Sequence, residues 1–376
     1  EKRERNVAFV DKNVKKNVFQ VTDEFTFTNG KYTNRFDVVF LINGLPIFFV
    51  ETKAAHKIGG MAEALDQVRR YHRETPEPMT LLQVYTLTHL IEFLYSSTWS
   101  YSMKSLFNWK VESKSRDFEN LVKDFFNREK SLKTIFDYVL FTRKDDVLQK
   151  IVLRPHQMRA IDKIIERVAS KTKHRGLIWH TQGSGKTYTM IVAAQKIIEN
   201  PIFENPTVIL LVDRNELETQ LFGNLESVGF GNVHITESKQ HLRELLQNDT
   251  RGLIVTMIHK FEGIPKDLNT KKNVFVLVDE AHRTTGGDLG NYLVGALPNA
   301  TYIGFTGTPI DKTLYGKGTF VTFGKDDSNG YLDIYGIAES IEDGTTVKLH
   351  YSLASNELLP DKKTLEKSDE KSEEKK

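Results

Sequence analysis

Residues 180–187 read His180-Thr181-Gln182-Gly183-Ser184-Gly185-Lys186-Thr187. They follow a short apolar run, Leu177-Ile178-Trp179, and precede an apolar stretch from Met190 to Ile198. Strand, glycine-rich loop and helix in that order make a phosphate-binding loop, in which backbone N–H groups and the positive end of the helix face the anion. Gly183 and Gly185, flanking Ser184, let the backbone approach. Lys186 reaches the outer phosphates, and the Thr187 hydroxyl holds Mg²⁺. His180 stands where the general pattern has glycine, so the loop alone leaves a plain glycine-rich turn open.

A second element decides between the two. Asp279-Glu280-Ala281-His282 directly follows the apolar run Val274 to Val278. A carboxylate at the C-terminal end of a parallel strand points into the ligand crevice. There Asp279 holds Mg²⁺ and Glu280 orients or deprotonates the attacking water. The bland alternative, an acidic helix cap, loses weight with a Lys-Thr phosphate loop upstream. Further short apolar runs at Val208 to Val212, Leu253 to Val255 and Tyr302 to Phe305 alternate with helical stretches. Strands buried on both faces belong to a parallel sheet covered by helices, an α/β fold.

These residues resemble the superfamily 2 helicases and translocases of the DEAH-box type over about 153–310. That superfamily tolerates a non-glycine first loop position. The resemblance implies that Arg154-Pro155-His156-Gln157 reads adenine, with Gln157 as the base contact. It implies that Val212-Asp213-Arg214 with Gln220, and Val255 to Phe261, follow a DNA backbone. His282 and the stretch Phe305-Thr306-Gly307-Thr308-Pro309, through Thr306 and Thr308, would couple hydrolysis to DNA grip. Such motors build their ATP site between two RecA-like lobes. After Pro309 about 65 residues remain, so a second lobe is expected to be absent or barely begun, and ATP hydrolysis by this chain poor.

An earlier stretch carries a second constellation. Phe36 to Ile42 and Ile47 to Lys53 read as two strands around the turn Asn43-Gly44-Leu45-Pro46. Glu51 and Lys53, two apart, share a face. With a hairpin loop of three or five residues, Asp37 lies opposite Glu51. Two carboxylates and an ammonium then meet, and hard oxygens of this kind suit Mg²⁺, with Asp37 and Glu51 as ligands. Lys53 positions the nucleophile or stabilises developing charge. Gln67 and Tyr71, four residues apart on a helix from Met61 to Tyr71, lie on one face. The set resembles the PD-(D/E)xK nucleases of the RecB-like branch, in which the Gln-x-x-x-Tyr pair assists cleavage. The proline that often precedes the aspartate is replaced by Phe36, and a further acidic residue on a preceding helix has only Glu4 or Asp23 as poor substitutes.

Nuclease, connector and motor in one chain resemble the restriction (motor) subunit of type I restriction-modification enzymes. The resemblance implies ATP-dependent cleavage of unmodified double-stranded DNA, with ATP and Mg²⁺ as cofactors and methyltransferase and specificity subunits as partners. A repair-type nuclease–helicase, or an assembly module with an inactive nuclease, are the other readings. The fold expected is a PD-(D/E)xK domain (1–110), a helical connector (111–152), a first RecA-like lobe (153–330), the start of a connection to a second lobe (331–360) and a charged tail (361–376). The subunit type is longer, so the chain is expected to be an N-terminal piece.

Composition agrees. Of 376 residues, 52 are Lys or Arg and 50 Asp or Glu, so the net charge of +2 excludes a blanket nucleic-acid binder but not a local basic groove. Arg69, Arg70 and Arg73 are candidate phosphate contacts, or simply a solvated helix face. The absence of cysteine removes disulfides and thiolate metal sites and fits a reducing compartment, the cytoplasm. No apolar run is long enough for a membrane span. Trp99, Trp109 and Trp179 read as core or rim residues, His56 as incidental, and Thr284 to Gly287 as a loop.

Overall fold

The computed structural model describes residues 8–54, 59–89, 92–110, 117–144, 147–212, 225, 230–231, 233–283, 288–313 and 316–348. The expectations placed on Glu4, His56, Asp213, Arg214, Gln220, Thr284 to Gly287 and the tail 361–376 lie outside the described residues.

The first half is a six-stranded sheet whose strands lie side by side in chain order: β1 (Phe19–Thr28), β2 (Thr33–Ile42), β3 (Leu45–Thr52), β4 (Val84–Thr88), β5 (Phe93–Ser97) and β6 (Phe107–Asn108). Only β3 and β4 run parallel, and helix α1 (Gly60–Glu74) makes the crossover between them. The β2–β3 hairpin closes on two residues, Asn43 and Gly44, with φ of 54° and 82°. Both values are positive, the requirement of the tight turn for which Asn-Gly is preferred.

That two-residue loop is shorter than either length expected. The register is recovered by a bulge. Leu41 pairs with Pro46 but Phe40 with Phe48, so Ile47 is an extra residue in β3. The ladder then runs to Val38 opposite Val50, and its next step brings Asp37 alongside Glu51. The alternation of faces also breaks locally. Phe36 and Val39, three apart, both join the core under α1, and Glu24 on the facing strand has φ of 49°.

One face of this sheet packs on α1 through Phe36, Phe49, Tyr85, Leu65 and Tyr71. The other meets Phe125 of α2 (Phe118–Phe125) and Leu132 of α3 (Arg128–Lys133), and the same apolar cluster continues into Met158 and Ile161 of α4 (Pro155–Ala169). The segment expected to be a helical connector is helical only in its first part. It ends in an antiparallel hairpin, β7 (Val139–Lys144) and β8 (Val147–Val152). The β-branched and aromatic residues of Val139 to Thr142 favour strand over helix.

The second half is a seven-stranded parallel sheet of β9 (Arg175–His180), β10 (Thr207–Val212), β11 (Val233–Ile235), β12 (Gly252–Met257), β13 (Val274–Val278), β14 (Thr301–Thr306) and β15 (Asp333–Tyr335). Its order is β11-β12-β10-β13-β14-β9-β15. Every residue of β10, β13 and β14 is buried, as a sheet with helices on both faces requires. The last strand corrects the boundary expected at 330. Asp333 to Tyr335 pair parallel with Ile178 to His180, so this stretch belongs to the same parallel sheet. A three-residue strand is too short for periodicity to reveal.

Lys150 of β8 ties the β7–β8 hairpin to the first half. Its side chain is buried, and its ammonium donates to the Leu82 carbonyl at 2.8 Å and the Thr98 hydroxyl at 3.0 Å, 4.7 Å from the centre of the Trp99 ring. Burial pulls the ammonium pKa down to about 7. An unfolded lysine keeps its proton to about 10.4, so the unfolded chain binds more protons between these values and stability rises with pH there. Denaturant titrations at pH 7 and pH 9.5 should show wild type gaining on the order of 1–3 kcal/mol relative to Lys150→Met. Parallel pH profiles for the two proteins would contradict this.

Candidate functional site: a carboxylate pair and a phosphate loop

Glu51, at the end of β3, is fully buried. Its Oε1 lies 2.9 Å from the Tyr71 hydroxyl, while Oε2 is buried with no hydrogen-bond partner. Burial, with the Asp37 charge close by, pushes the Glu51 carboxyl up to about 8. The Tyr71 hydroxyl also lies 2.7 Å from the Arg35 carbonyl, so its one proton serves either acceptor, and burial raises its pKa. Gln67 Nε2 donates to the Tyr71 oxygen at 2.6 Å, and the Lys53 ammonium donates to Gln67 Oε1 at 2.7 Å. Asp37 Oδ2 accepts from the backbone N–H of Thr52 at 2.8 Å and from its hydroxyl at 3.1 Å.

The five residues singled out in the sequence therefore form one connected patch. Helix α1 makes this possible: Ala64, Leu65, Val68 and Tyr71 are buried on one face, and Gln67 lies one turn before Tyr71 at that face's margin. A buried carboxylate oxygen without a donor is costly, and a hard cation is one way to satisfy it. Among the described residues no group of three or more His, Cys, Asp or Glu side chains could hold a metal. Two carboxylates are what this patch offers. Arg69 is engaged by Asp66 at 2.7 Å and the Tyr101 carbonyl at 3.1 Å, and Arg70 lies 3.8 Å from Glu74.

In the second half, β9 leads into the glycine-rich loop and α5 (Lys186–Glu199) leaves it. Gly183 and Gly185 have φ of 78° and 84°. A Cβ on Gly185 would fall 2.6 Å from the Gln157 amide, so both backbone angle and space demand glycine there. The Arg-Pro-His-Gln segment grips this loop. Gln157 donates to the Gly185 carbonyl at 2.9 Å and accepts from the Arg154 N–H at 2.8 Å, and the His156 ring lies 2.9 Å from the Ser184 carbonyl. Gln157, expected as a base contact, is buried with its amide engaged at both ends within the protein. The Arg154 guanidinium lies 5.0 Å from the centre of the Phe107 ring.

The Lys186 ammonium donates to the His180 and Thr181 carbonyls at 3.3 and 3.2 Å. Burial lowers its pKa, opposed by the charges of Glu280 and Asp279. The acidic motif thus faces the loop, although it is about 90 residues away in the chain. Thr187 follows Lys186 in the first turn of α5. The backbone N–H of Asp279 donates to the Leu211 carbonyl at 2.8 Å, and Glu280 takes a positive φ of 44°. His282 Nδ1 lies 2.8 Å from the Thr306 hydroxyl, and the Thr308 N–H donates to that same hydroxyl at 3.1 Å. The hydroxyls of Thr181 and Ser184 are buried without a partner. The orphaned hydroxyls, the glycine angles and the lysine over the loop fit a phosphate group.

Sequence reasoning missed Asp333. It is buried and accepts from Arg159 Nε, Lys163 and His180, each at 2.8 Å. Burial pushes its carboxyl up, but the bonds from His180 and Arg159 hold it well below the ordinary range. Tyr335 stacks on His156 with ring centres 3.7 Å apart. The short last strand therefore braces the first loop residue from behind. No local signal marks Asp333, because its partners lie more than 150 residues upstream. Lys260, within the segment expected to follow DNA, points inward and donates to the Thr236 carbonyl.

Two family models match the chain. The family model for the SWI2/SNF2 ATPase matches residues 156–376, and the model for the type I restriction enzyme R protein N terminus matches residues 1–102. A putative type I restriction enzyme endonuclease subunit of Methanocaldococcus jannaschii, MjaVIIIP, is 32% identical over 94% of this chain and 38% of its own length. The HindI endonuclease subunit of Haemophilus influenzae is 32% identical over 84% of this chain and 33% of its own. The SauCOLORF180P endonuclease subunit of Staphylococcus aureus is 31% identical over 91% and 37%. The chain thus spans about a third of the length of these relatives.

The buried carboxyl has a thermodynamic consequence. A glutamate titrates near 4.3 when unfolded and here near 8, so the stability it contributes is complete below the lower value and is lost as pH rises through the upper. In EDTA, wild type should lose on the order of 1–4 kcal/mol relative to Glu51→Gln between pH 5 and pH 8.5, measured by urea unfolding. Identical pH profiles would mean that Glu51 ionises as an ordinary surface glutamate.

Proposed function

The chain belongs to the SWI2/SNF2 ATPase family, and on that premise we propose that it carries the nuclease and ATP-binding parts of a type I restriction endonuclease subunit. The observation that carries the reading is the joining of Asp37, Glu51, Lys53, Gln67 and Tyr71 into one patch in the same chain as a phosphate loop. The substrate of the nuclease is double-stranded DNA lacking the protective methylation. Methyltransferase and specificity subunits supply target recognition, because phosphate contacts alone carry no sequence information. A cytoplasmic location is part of this reading and rests on the restriction-subunit assignment alone. Among the described residues no helix is long and apolar enough to cross a membrane.

Asp37 and the orphaned Oε2 of Glu51 would hold Mg²⁺. Bound there, the ion polarises the scissile phosphate and lowers the pKa of water. Lys53 holds its ammonium toward the patch through Gln67 and stabilises charge that develops on the phosphate. Tyr71, held by Gln67, fixes the Glu51 carboxylate through Oε1 and leaves Oε2 free to ligate.

In the second half, the loop from Gly183 to Thr187 cradles the phosphates of ATP, and Lys186 turns its ammonium from the loop carbonyls to the outer phosphates. Thr187 and Asp279 would hold the Mg²⁺ that accompanies ATP, and Glu280 orients water. Arg154 and Gln157 frame the adenine side of the loop. His282, bonded to Thr306, links the acidic motif to the segment that ends at Thr308.

Two substitutions separate the two activities. Lys186→Ala should weaken ATP binding by about tenfold or more in titration calorimetry, and unchanged binding would sink the phosphate-loop assignment. Lys53→Ala should reduce cleavage of unmodified circular DNA, in the complex with methyltransferase and specificity subunits, by roughly 10²–10³ while ATP binding persists. A mutant that cuts as fast as wild type would remove Lys53 from the nuclease centre.

A further inference from the structure

Thr52, the last residue of β3, stands between Glu51 and Lys53 and is exposed. An exposed strand threonine needs no special role, since β-branched residues favour strands. Its contacts point further. The backbone N–H and the hydroxyl of Thr52 both donate to one oxygen of Asp37, Oδ2, at 2.8 and 3.1 Å. Two donors from one residue fix the plane of a carboxylate that otherwise rotates freely. Neither bond uses Oδ1. Glu51 shows the same asymmetry, with Oε1 beside Tyr71 and Oε2 buried without a donor. In each carboxylate one oxygen is held by protein and the other is left for something else.

We propose that Thr52 is a positioning residue of the nuclease centre: by holding Oδ2 of Asp37 it presents Oδ1, together with Oε2 of Glu51, to a divalent cation. The proposal rests on the nuclease reading above and adds a residue to it. The backbone N–H of Thr52 is fixed by the strand, so the hydroxyl is the part that evolution or mutagenesis can remove. Valine keeps the branched shape and the strand preference but donates nothing. Serine keeps the donor.

The test is binding of Mn²⁺ to this chain, followed by electron paramagnetic resonance in the absence of nucleotide and DNA. Thr52→Val should weaken Mn²⁺ binding about fivefold, the loss of one hydrogen bond that organises a ligand, and Thr52→Ser should restore it. Thermal unfolding of the EDTA-treated proteins checks folding, and Thr52→Ala carries the same comparison should the valine variant not fold. If Asp37→Asn and Glu51→Gln abolish the site but Thr52→Val binds Mn²⁺ as tightly as wild type, the role of Thr52 is overturned and the nuclease centre stands. If Asp37→Asn and Glu51→Gln leave Mn²⁺ affinity unchanged, the centre itself is misassigned and the proposal falls with it.

Discussion

A carboxyl group taken wholly out of water, with one oxygen left without a hydrogen-bond partner, is an expensive thing to build. Glu51 is in that position, and much of the first half of the structure is arranged around it. The bulge at Ile47 sets the register that brings Asp37 alongside it, and α1 carries Tyr71 to its Oε1 and Gln67 on to Lys53. Asp37 adds a second negative charge where burial already disfavours the first, so the two carboxylates raise rather than relieve the cost. A buried carboxyl kept from ionising in this way makes physical sense when a cation completes it and favours its charged form. Strain of this kind is concentrated at functional sites and is sustained by the rest of the fold.

The two halves are not beads on a string. The sheet face opposite α1 shares one apolar cluster with α2, α3 and α4. Polar contacts follow the same seam: the Tyr95 hydroxyl donates to the Leu153 carbonyl at 2.7 Å, one residue before the Arg-Pro-His-Gln segment, and that segment holds Ser184 and Gly185 of the phosphate loop. The far end of the described chain returns toward the first half as well, where Lys110 pairs with Asp343 at 2.6 Å. The six-stranded sheet and the phosphate loop are therefore joined through a few packed residues.

How much of this could be read from residues alone follows from the range of each interaction. The phosphate loop, the acidic motif and the five long-buried strands were legible because their signals are local: a short glycine-rich run, and apolar stretches bounded by turns. Gln67 and Tyr71 were legible through helical spacing. The pairing of Asp37 with Glu51 follows from an odd loop length, but here the Asn-Gly turn closes on two residues and the bulge supplies the missing step. Asp333 and the closing strand were invisible because they are defined by partners far away in the chain or by too few residues to show a period; the β7–β8 hairpin, by contrast, is local, and its β-branched and aromatic residues carry the signal for it. The turn at Asn43-Gly44 holds a broader lesson, since one inserted residue moves every side chain beyond it to the other face of a strand.

The central claim is that Asp37 and Glu51 together form a divalent-cation site in a nuclease centre. Anomalous X-ray diffraction from crystals of the chain soaked in Mn²⁺ examines it directly. The account predicts an anomalous peak within ligand distance of Glu51 Oε2 and Asp37 Oδ1, and its disappearance in Glu51→Gln crystals. A lysine ammonium seated on Oε2 with no anomalous density at the pair would contradict it.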